Sequence, residues 1–288
     1  MINYNPKHWL SFIFSFHKSD TARMMWKELI YISLLSILIA YIEITFFPEA
    51  YYLKHLTVVY SLLGFVISLL LVFRTNTAYD RWWEGRKAWG SIVNHSRSLS
   101  SKLSALALSH EERLSLSNFI SLYVFSIKNH LRSKQVQTDQ DCLIDFDSFD
   151  LSGHQPLRIQ QMLRNEIQQL SETKKMNTEM GFAIQKDLDE LVFALGVCER
   201  IKNTPIPFSY SLFIKKFIFI YVLTMPLAFV PLFGYFSAFI STFVFYALVS
   251  MELLAEEIED PFGSDENDLP TDQLCLTITD NCKQIFGA

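Results

Sequence analysis

The stretch LTVVYSLLGFVISLLLVFRTNTAYDRWWEGRKAWG, Leu56 to Gly90, decides how this chain must fold. Its first part, Leu56 to Phe73, carries no charge over 18 residues. As a helix that run extends roughly 27 Å, close to the hydrocarbon thickness of a bilayer. The part that follows, Arg74 to Trp89, mixes arginines, acids, amides and tryptophans, with no proline and no glycine before Gly85. The whole is therefore predicted as one helix that leaves the membrane and continues into water. Arg81 and Glu84, and Glu84 and Lys87, fall at helical neighbour spacing. Trp82 and Arg86 are four apart, which suits cation–π stacking, and Trp82 and Trp89 share a face. Indole rings at headgroup level explain one or two of the tryptophans. They do not explain Asn76, Asp80 and Glu84, which point to a face packed against protein with its polar groups satisfied internally.

Two further regions are as apolar. Leu29 to Phe47 is interrupted only by Glu43, and Phe217 to Met251 has no charge at all. A single helix over the latter would be about 52 Å long, too long for one crossing. Pro226, Pro231 and Gly234 lie near its middle, so it divides into two spans with a turn around Pro231 to Gly234. The count is four membrane helices. The loop Pro48 to His55 carries only Lys54, whereas Arg74, Arg81, Arg86, Lys87, Arg97 and Lys102 follow the second span and Lys215 and Lys216 precede the third. The positive side, predicted cytoplasmic, thus holds both termini and the region between spans two and three.

Composition agrees. Half of the 288 residues are hydrophobic, 25 are phenylalanine, and mean hydropathy is positive at +0.19. Scarce glycine and proline argue against a disordered or turn-rich β chain. A net charge of −5 gives no basic bias toward nucleic acid. The seven histidines show no zinc-ligand spacing and the four cysteines no CxxC pair, so neither a zinc site nor a redox motif is expected. The cysteines read as reduced thiols, and no signal peptide is evident. The segment between spans two and three must fold, because it exceeds any ordinary loop. Ile159, Met162, Leu163 and Ile167 recur at helical spacing within it, and DLDELVFALGVCERI repeats the pattern. Gln135 to Gly153 reads as a polar loop. After Met251 the tail has ten acids and one base, Lys283. The predicted division is 1–28, an N-terminal cytoplasmic segment; 29–73, the first two spans; 74–216, a cytoplasmic helical region; 217–251, the last two spans; and 252–288, an acidic cytoplasmic tail.

FRTNTAYDRWWEGRKAWG (Phe73 to Gly90) resembles the signature of the bestrophin family in its bacterial branch. IPFSYSLFIKKF (Ile206 to Phe217) is similar to that family's approach to its third span, and EEIEDPFGSDENDLP (Glu256 to Pro270) to its acidic stretch after the fourth. The order and spacing of all three agree over nearly the whole chain. The resemblance implies an all-α subunit with four transmembrane helices and a large helical cytoplasmic region, assembled as a ring-shaped homopentamer around a central pore in a bacterial inner membrane. It implies an ion channel and no enzyme, with no cofactor and no nucleic acid; its partners are membrane lipid and small inorganic ions.

On the second span, Ser61, Gly64 and Ser68 form one side, small enough for close helix approach. Leu62, Val66 and Leu70 form another. By periodicity that stripe faces lipid or core; the resemblance makes it the apolar neck of the pore, with Phe65, Leu69 and Phe73 as the alternative register. A ring of such residues gates by excluding water. The resemblance also places a cytoplasmic aperture at Phe182, with Met180 the weaker choice, by matching Gln185, Glu190 and Cys198. In calcium-activated relatives an acidic loop binds the ion; here Asp265 and Asp268 match its carboxylates and Glu257 and Asp260 its carbonyl donors. Ser264, Glu266 and Asn267 replace other acids of that loop, so a solvated acidic turn and no calcium requirement are expected, and no metal is assigned. The acidic tail and negative net charge lean selectivity toward sodium or potassium, a chloride channel of the same fold being the alternative. A secondary transporter is the rival from another class, but only Glu43 is ionisable well inside a span.

Overall fold

The computed structural model describes residues 21–132 and 153–287. The start of the expected N-terminal segment and most of the expected loop Gln135 to Gly153, with Cys142, lie outside the described residues. Among the described residues every regular element is helical: a turn at Thr21–Met24, α1 (Trp26–Phe46), a 3₁₀ segment (Ala50–His55), α2 (Leu56–Ser104), α3 (His110–Leu131), α4 (Gln155–Glu172), α5 (Thr178–Asn203), α6 (Phe208–Thr224), α7 (Pro226–Phe233), α8 (Phe236–Glu259) and α9 (Thr271–Phe286). They form two compact units. One comprises the chain up to Arg81 with Pro205–Glu259 and Asp265–Asn267; the other comprises Trp82–Thr204, Asp260–Ser264 and the chain from Asp268 onward.

The apolar run at Leu56 does not set the length of its helix. With no proline to interrupt the backbone ladder, α2 runs 49 residues to Ser104, about 73 Å. Four helical stretches are long and apolar enough to cross a membrane: Trp26–Phe46, Tyr52–Ser104, Phe208–Phe233 and Phe236–Glu259. The last two extend beyond the uncharged run Phe217 to Met251, because a helix stops where its hydrogen bonds stop and not where its charges begin. Pro226, lacking an N–H, opens α7 just after α6 ends at Thr224, while Pro231 sits inside α7. The reversal falls at Gly234, whose φ of +54° favours glycine.

In the first unit Tyr60, Ile67 and Leu71 pack with Ile214, Ile218, Tyr221, Val222 and Phe245. The Tyr221 hydroxyl donates to the Tyr60 carbonyl at 3.2 Å. A Cβ on Gly64 would stand 2.8 Å from that hydroxyl, so Gly64 does let two helices approach. Ser61 and Ser68 do not share that role: both are exposed and donate to their own helix, at Thr57 and Gly64 carbonyls, each at 2.8 Å.

The second unit packs around Trp89, which is fully buried with Ile92, Leu99, Ile120, Tyr123, Leu163, Leu188, Leu195, Ile278 and Phe286. Trp89 is therefore a core residue and no headgroup anchor; Trp82 packs on the same cluster, and Trp83 is exposed. Local signals fix the ends of the helices. Ser109 and Glu112 close a capping box at α3, and Asn177 Oδ1 accepts from Met180 N at 2.8 Å at α5. Gly85 admits another close approach, since a Cβ there would lie 3.1 Å from the Phe262 ring and 3.2 Å from Pro261.

Asp187, buried on α5, ties this unit to α2. It accepts from Lys102 Nζ at 2.7 Å and Ser98 Oγ at 2.9 Å, and meets His95 Nδ1 at 3.0 Å. Burial opposes its ionisation, but those three partners outweigh it and hold the carboxyl below its ordinary value of 3.8. A depressed carboxylate stabilises the fold fully above its unfolded value and loses that contribution as pH falls through the folded one. Asp187→Ala is expected to lower unfolding stability by about 2 kcal/mol at neutral pH. In denaturant melts the gap between wild type and variant should hold at neutral pH and close as pH drops below 4, a threshold set by the ordinary aspartate value.

Candidate functional site

At about 100° per residue, Tyr60, Ile67, Leu71, Arg74 and Ala78 share one face of α2, and all are buried. The opposite face has no partner within the described chain. Phe65 is 66% exposed, Leu69 44% and Phe73 56%, and these three lie across the helix from the packed face. Leu62 is 64% exposed and Val66 37%, but with Leu70 they turn about 60° toward the flank, where Tyr210 Oη donates to the Leu70 carbonyl at 3.5 Å. Asn76 and Asp80 extend the outer face, both exposed.

Where α2 changes from apolar to polar, Arg74 is almost wholly buried. Its Nη2 donates to Glu259 Oε2 at 2.6 Å, and Glu252 stands 3.8 Å from its Nε. The other Glu259 oxygen accepts from Ile206 N at 2.7 Å, and the Glu259 carbonyl accepts from Arg81 Nε at 3.1 Å. One glutamate at the end of α8 thus holds two arginines of α2 and the approach to α6. Glu84 finds its partner on α5, in a very short contact with Arg200, and not on its own helix.

On α5, Phe182 and Phe193 are exposed at 74% and 70%, with Gln185 exposed beside them, while Asp189 on the same side accepts from Arg164 of α4 at 2.7 Å. Met180, the weaker choice, packs partly against the core around Trp89.

Several acids of the tail meet partners from other elements. Glu256 pairs with Lys215 at 2.8 Å and Asp260 with Lys202 at 2.5 Å, and Glu257 accepts from Asn267 at 2.6 Å. Arg132 donates to the Phe262 and Gly263 carbonyls at 3.4 and 3.1 Å and to both Asp272 oxygens at 2.9 and 2.7 Å. Those bonds, with Lys128 beside them, hold the Asp272 carboxyl down to about 2. Asp268 is buried with its carboxylate against Gly263, where a Cβ would lie 2.7 Å from Oδ2. Asp265 and Asp268 belong to different compact units. Beside this loop the Arg132 guanidinium binds the Phe262 and Gly263 carbonyls, which are not the Glu257 and Asp260 carbonyls matched to the calcium loop.

Sequence spacing offered no metal-ligating pair; the fold brings His130, at the end of α3, and His154, the N-cap of α4, to Glu199 on α5. No local spacing rule finds side chains brought together from three separate elements.

Comparison with known proteins joins these observations. The family described as bacterial/fungal bestrophin protein matches residues 1–284. A voltage-dependent anion channel-forming protein of Nostoc sp. is 34% identical over 96% of this chain and 91% of its own length. One of that description from Synechocystis sp. is 35% identical over 77% of this chain and 75% of its own. The crystal structure of a bacterial bestrophin homologue from Klebsiella pneumoniae superposes with a TM-score of 0.82 at 30% identity, covering 91% of this chain and 98% of that one.

The Arg74 cluster generates a stability test. Glu259→Ala leaves a buried guanidinium without its hydrogen-bonded partner and is expected to destabilise by about 3–5 kcal/mol. Arg74→Met combined with Glu259→Gln leaves less unpaired charge and should cost less than Glu259→Ala alone, as read from thermal unfolding in detergent.

Proposed function

The chain belongs to the bacterial and fungal bestrophin family, and from that premise we propose that it is the subunit of an ion channel passing small anions through a central pore. The observation that carries this reading is the agreement between the relatives' description as anion channel-forming proteins and an α2 whose apolar outer face has no partner in its own chain. A helix packed on one face and bare on the other suits a ring of subunits, and we take the ring to be a homopentamer. Four apolar helices make it a membrane protein; the positive-side bias supports an inner-membrane location with both termini cytoplasmic. The family is one of channels, and no catalytic role is assigned.

The lean to sodium or potassium gives way to the anion alternative. It rested on a sum of acids and on the resemblance, whereas the relatives are described as anion channel-forming proteins, and four of the tail's acids are paired with Lys215, Lys202, Arg132 and Arg74. A paired carboxylate contributes little to the field at a pore mouth. One observation still favours cations: Asp80 is exposed two turns beyond Phe73 on the outer face, and a ring of carboxylates there would attract them.

For the neck, geometry supports Phe65, Leu69 and Phe73 over Leu62, Val66 and Leu70, because the face opposite the subunit's own packing is the one turned to the axis of a ring. An apolar ring resists wetting and strips an ion of water without offering polar partners. Phe182, exposed on α5, is retained as the second aperture.

Two measurements test these assignments. In planar bilayers with a sodium chloride gradient, the reversal potential is expected near the chloride equilibrium value; a value at the sodium potential overturns the anion reading and turns attention to Asp80→Asn. Replacing Phe65, Leu69 and Phe73 together by alanine is expected to raise conductance or open probability with the oligomer intact. The same change at Leu62, Val66 and Leu70 should raise it less. The reverse order restores the first register.

A further inference from the structure

His130 and His154 direct both Nε2 atoms at a single oxygen, Glu199 Oε1, from 2.8 and 2.6 Å. One potential ligand atom from each residue lies within 4.8 Å of the other two, and the ring centroids are 4.4 Å apart. The side chains are 34%, 34% and 26% exposed, open enough for an ion to arrive from solution. Two imidazoles and one carboxylate are a donor set for zinc-class ions, whereas calcium and magnesium take oxygen ligands almost alone. We propose that His130, His154 and Glu199 bind one divalent transition-metal ion per chain, with a fourth position left to water.

The adjustment required is small. Ligand atoms of a tetrahedral site with bonds of about 2.0–2.1 Å stand roughly 3.3 Å apart, so the two Nε2···Oε1 contacts must open by about half an ångström, within reach of a χ rotation. Binding through Nε2 places the proton of His154 on Nδ1, which now accepts from Leu157 N. That bond is long, 3.4 Å, and little is lost with it.

The site ties three elements that local sequence does not connect: the last turn of α3, the cap of α4 and the C-terminal part of α5. Two residues beyond His130 is Arg132, the guanidinium that holds the Phe262 and Gly263 carbonyls and Asp272. An ion on His130 would therefore fix the end of α3 from which the acidic segment is held. The competing occupant is the proton: both imidazoles donating Nε2–H to Glu199, with no metal.

The test uses the tag-free full chain in detergent, stripped with chelator, passed through a desalting column and titrated with cobalt and then zinc. The proposal expects the visible bands of tetrahedral cobalt to saturate at one equivalent per chain and vanish on zinc addition. Zinc should also raise the melting midpoint by several degrees. Both signals should be lost in His130→Ala/His154→Ala and kept in His110→Ala. Glu199→Gln, which preserves a hydrogen-bond acceptor and guards against a folding defect in the double variant, should weaken cobalt binding by more than about tenfold. Uptake well below one equivalent by the wild type assigns the cluster to proton sharing and overturns the proposal. So does uptake unchanged in the double variant, or unchanged in Glu199→Gln.

Discussion

A guanidinium buried where a helix changes from apolar to polar constrains everything around it. Arg74 is almost wholly buried, and in that position an unpaired guanidinium is strongly destabilising. Glu259 answers it at 2.6 Å, and the demands on Glu259 then propagate. Its second oxygen receives the Ile206 amide and its carbonyl receives Arg81. The end of α8, the approach to α6 and the middle of α2 are fixed relative to one another by a single carboxylate and its backbone. Tyr60, Ile67 and Leu71 also pack on α6 in this unit, but burial is indifferent to small slips along a helix. The ion pair is not, and it sets the register.

Much of this was legible in the sequence, for reasons that can be named. A run without charges announces a span, and the absence of proline announces that the helix goes on; α2 did both. Asn76, Asp80 and Glu84 were read as a face packed against protein, and for Glu84 that was correct in kind, with Arg200 as the partner. The particular partners were not legible. Helical spacing offered Arg81 and Lys87 to Glu84, because periodicity sees only neighbours on one helix, whereas the closing contact comes from 116 residues away. The histidine pair escaped for the same reason. The two registers of the apolar stripe were left open by periodicity, which measures the angle between residues but has no origin; the buried face of α2 shows which stripe lies opposite the subunit's own packing.

Charge was the least transferable reading. Ten acids after Met251 describe a tail by sum, and a sum has no geometry. In the fold, Lys202, Lys215, Arg74 and Arg132 come from other elements to meet those acids. For those acids the physical meaning of the composition changes from a field presented to ions into a fastening between helices.

The unbroken course of α2 has a mechanical consequence. The two stripes considered for the neck are three residues apart and so differ by about 60° of roll about the helix axis. A helix without proline has no joint in which to absorb torsion, so its side chains roll together about the axis. Which stripe faces outward then depends on how tightly Tyr60, Ile67 and Leu71 are gripped by the helices of their own unit, as the fit of a shaft in its bearing sets the play at its tip.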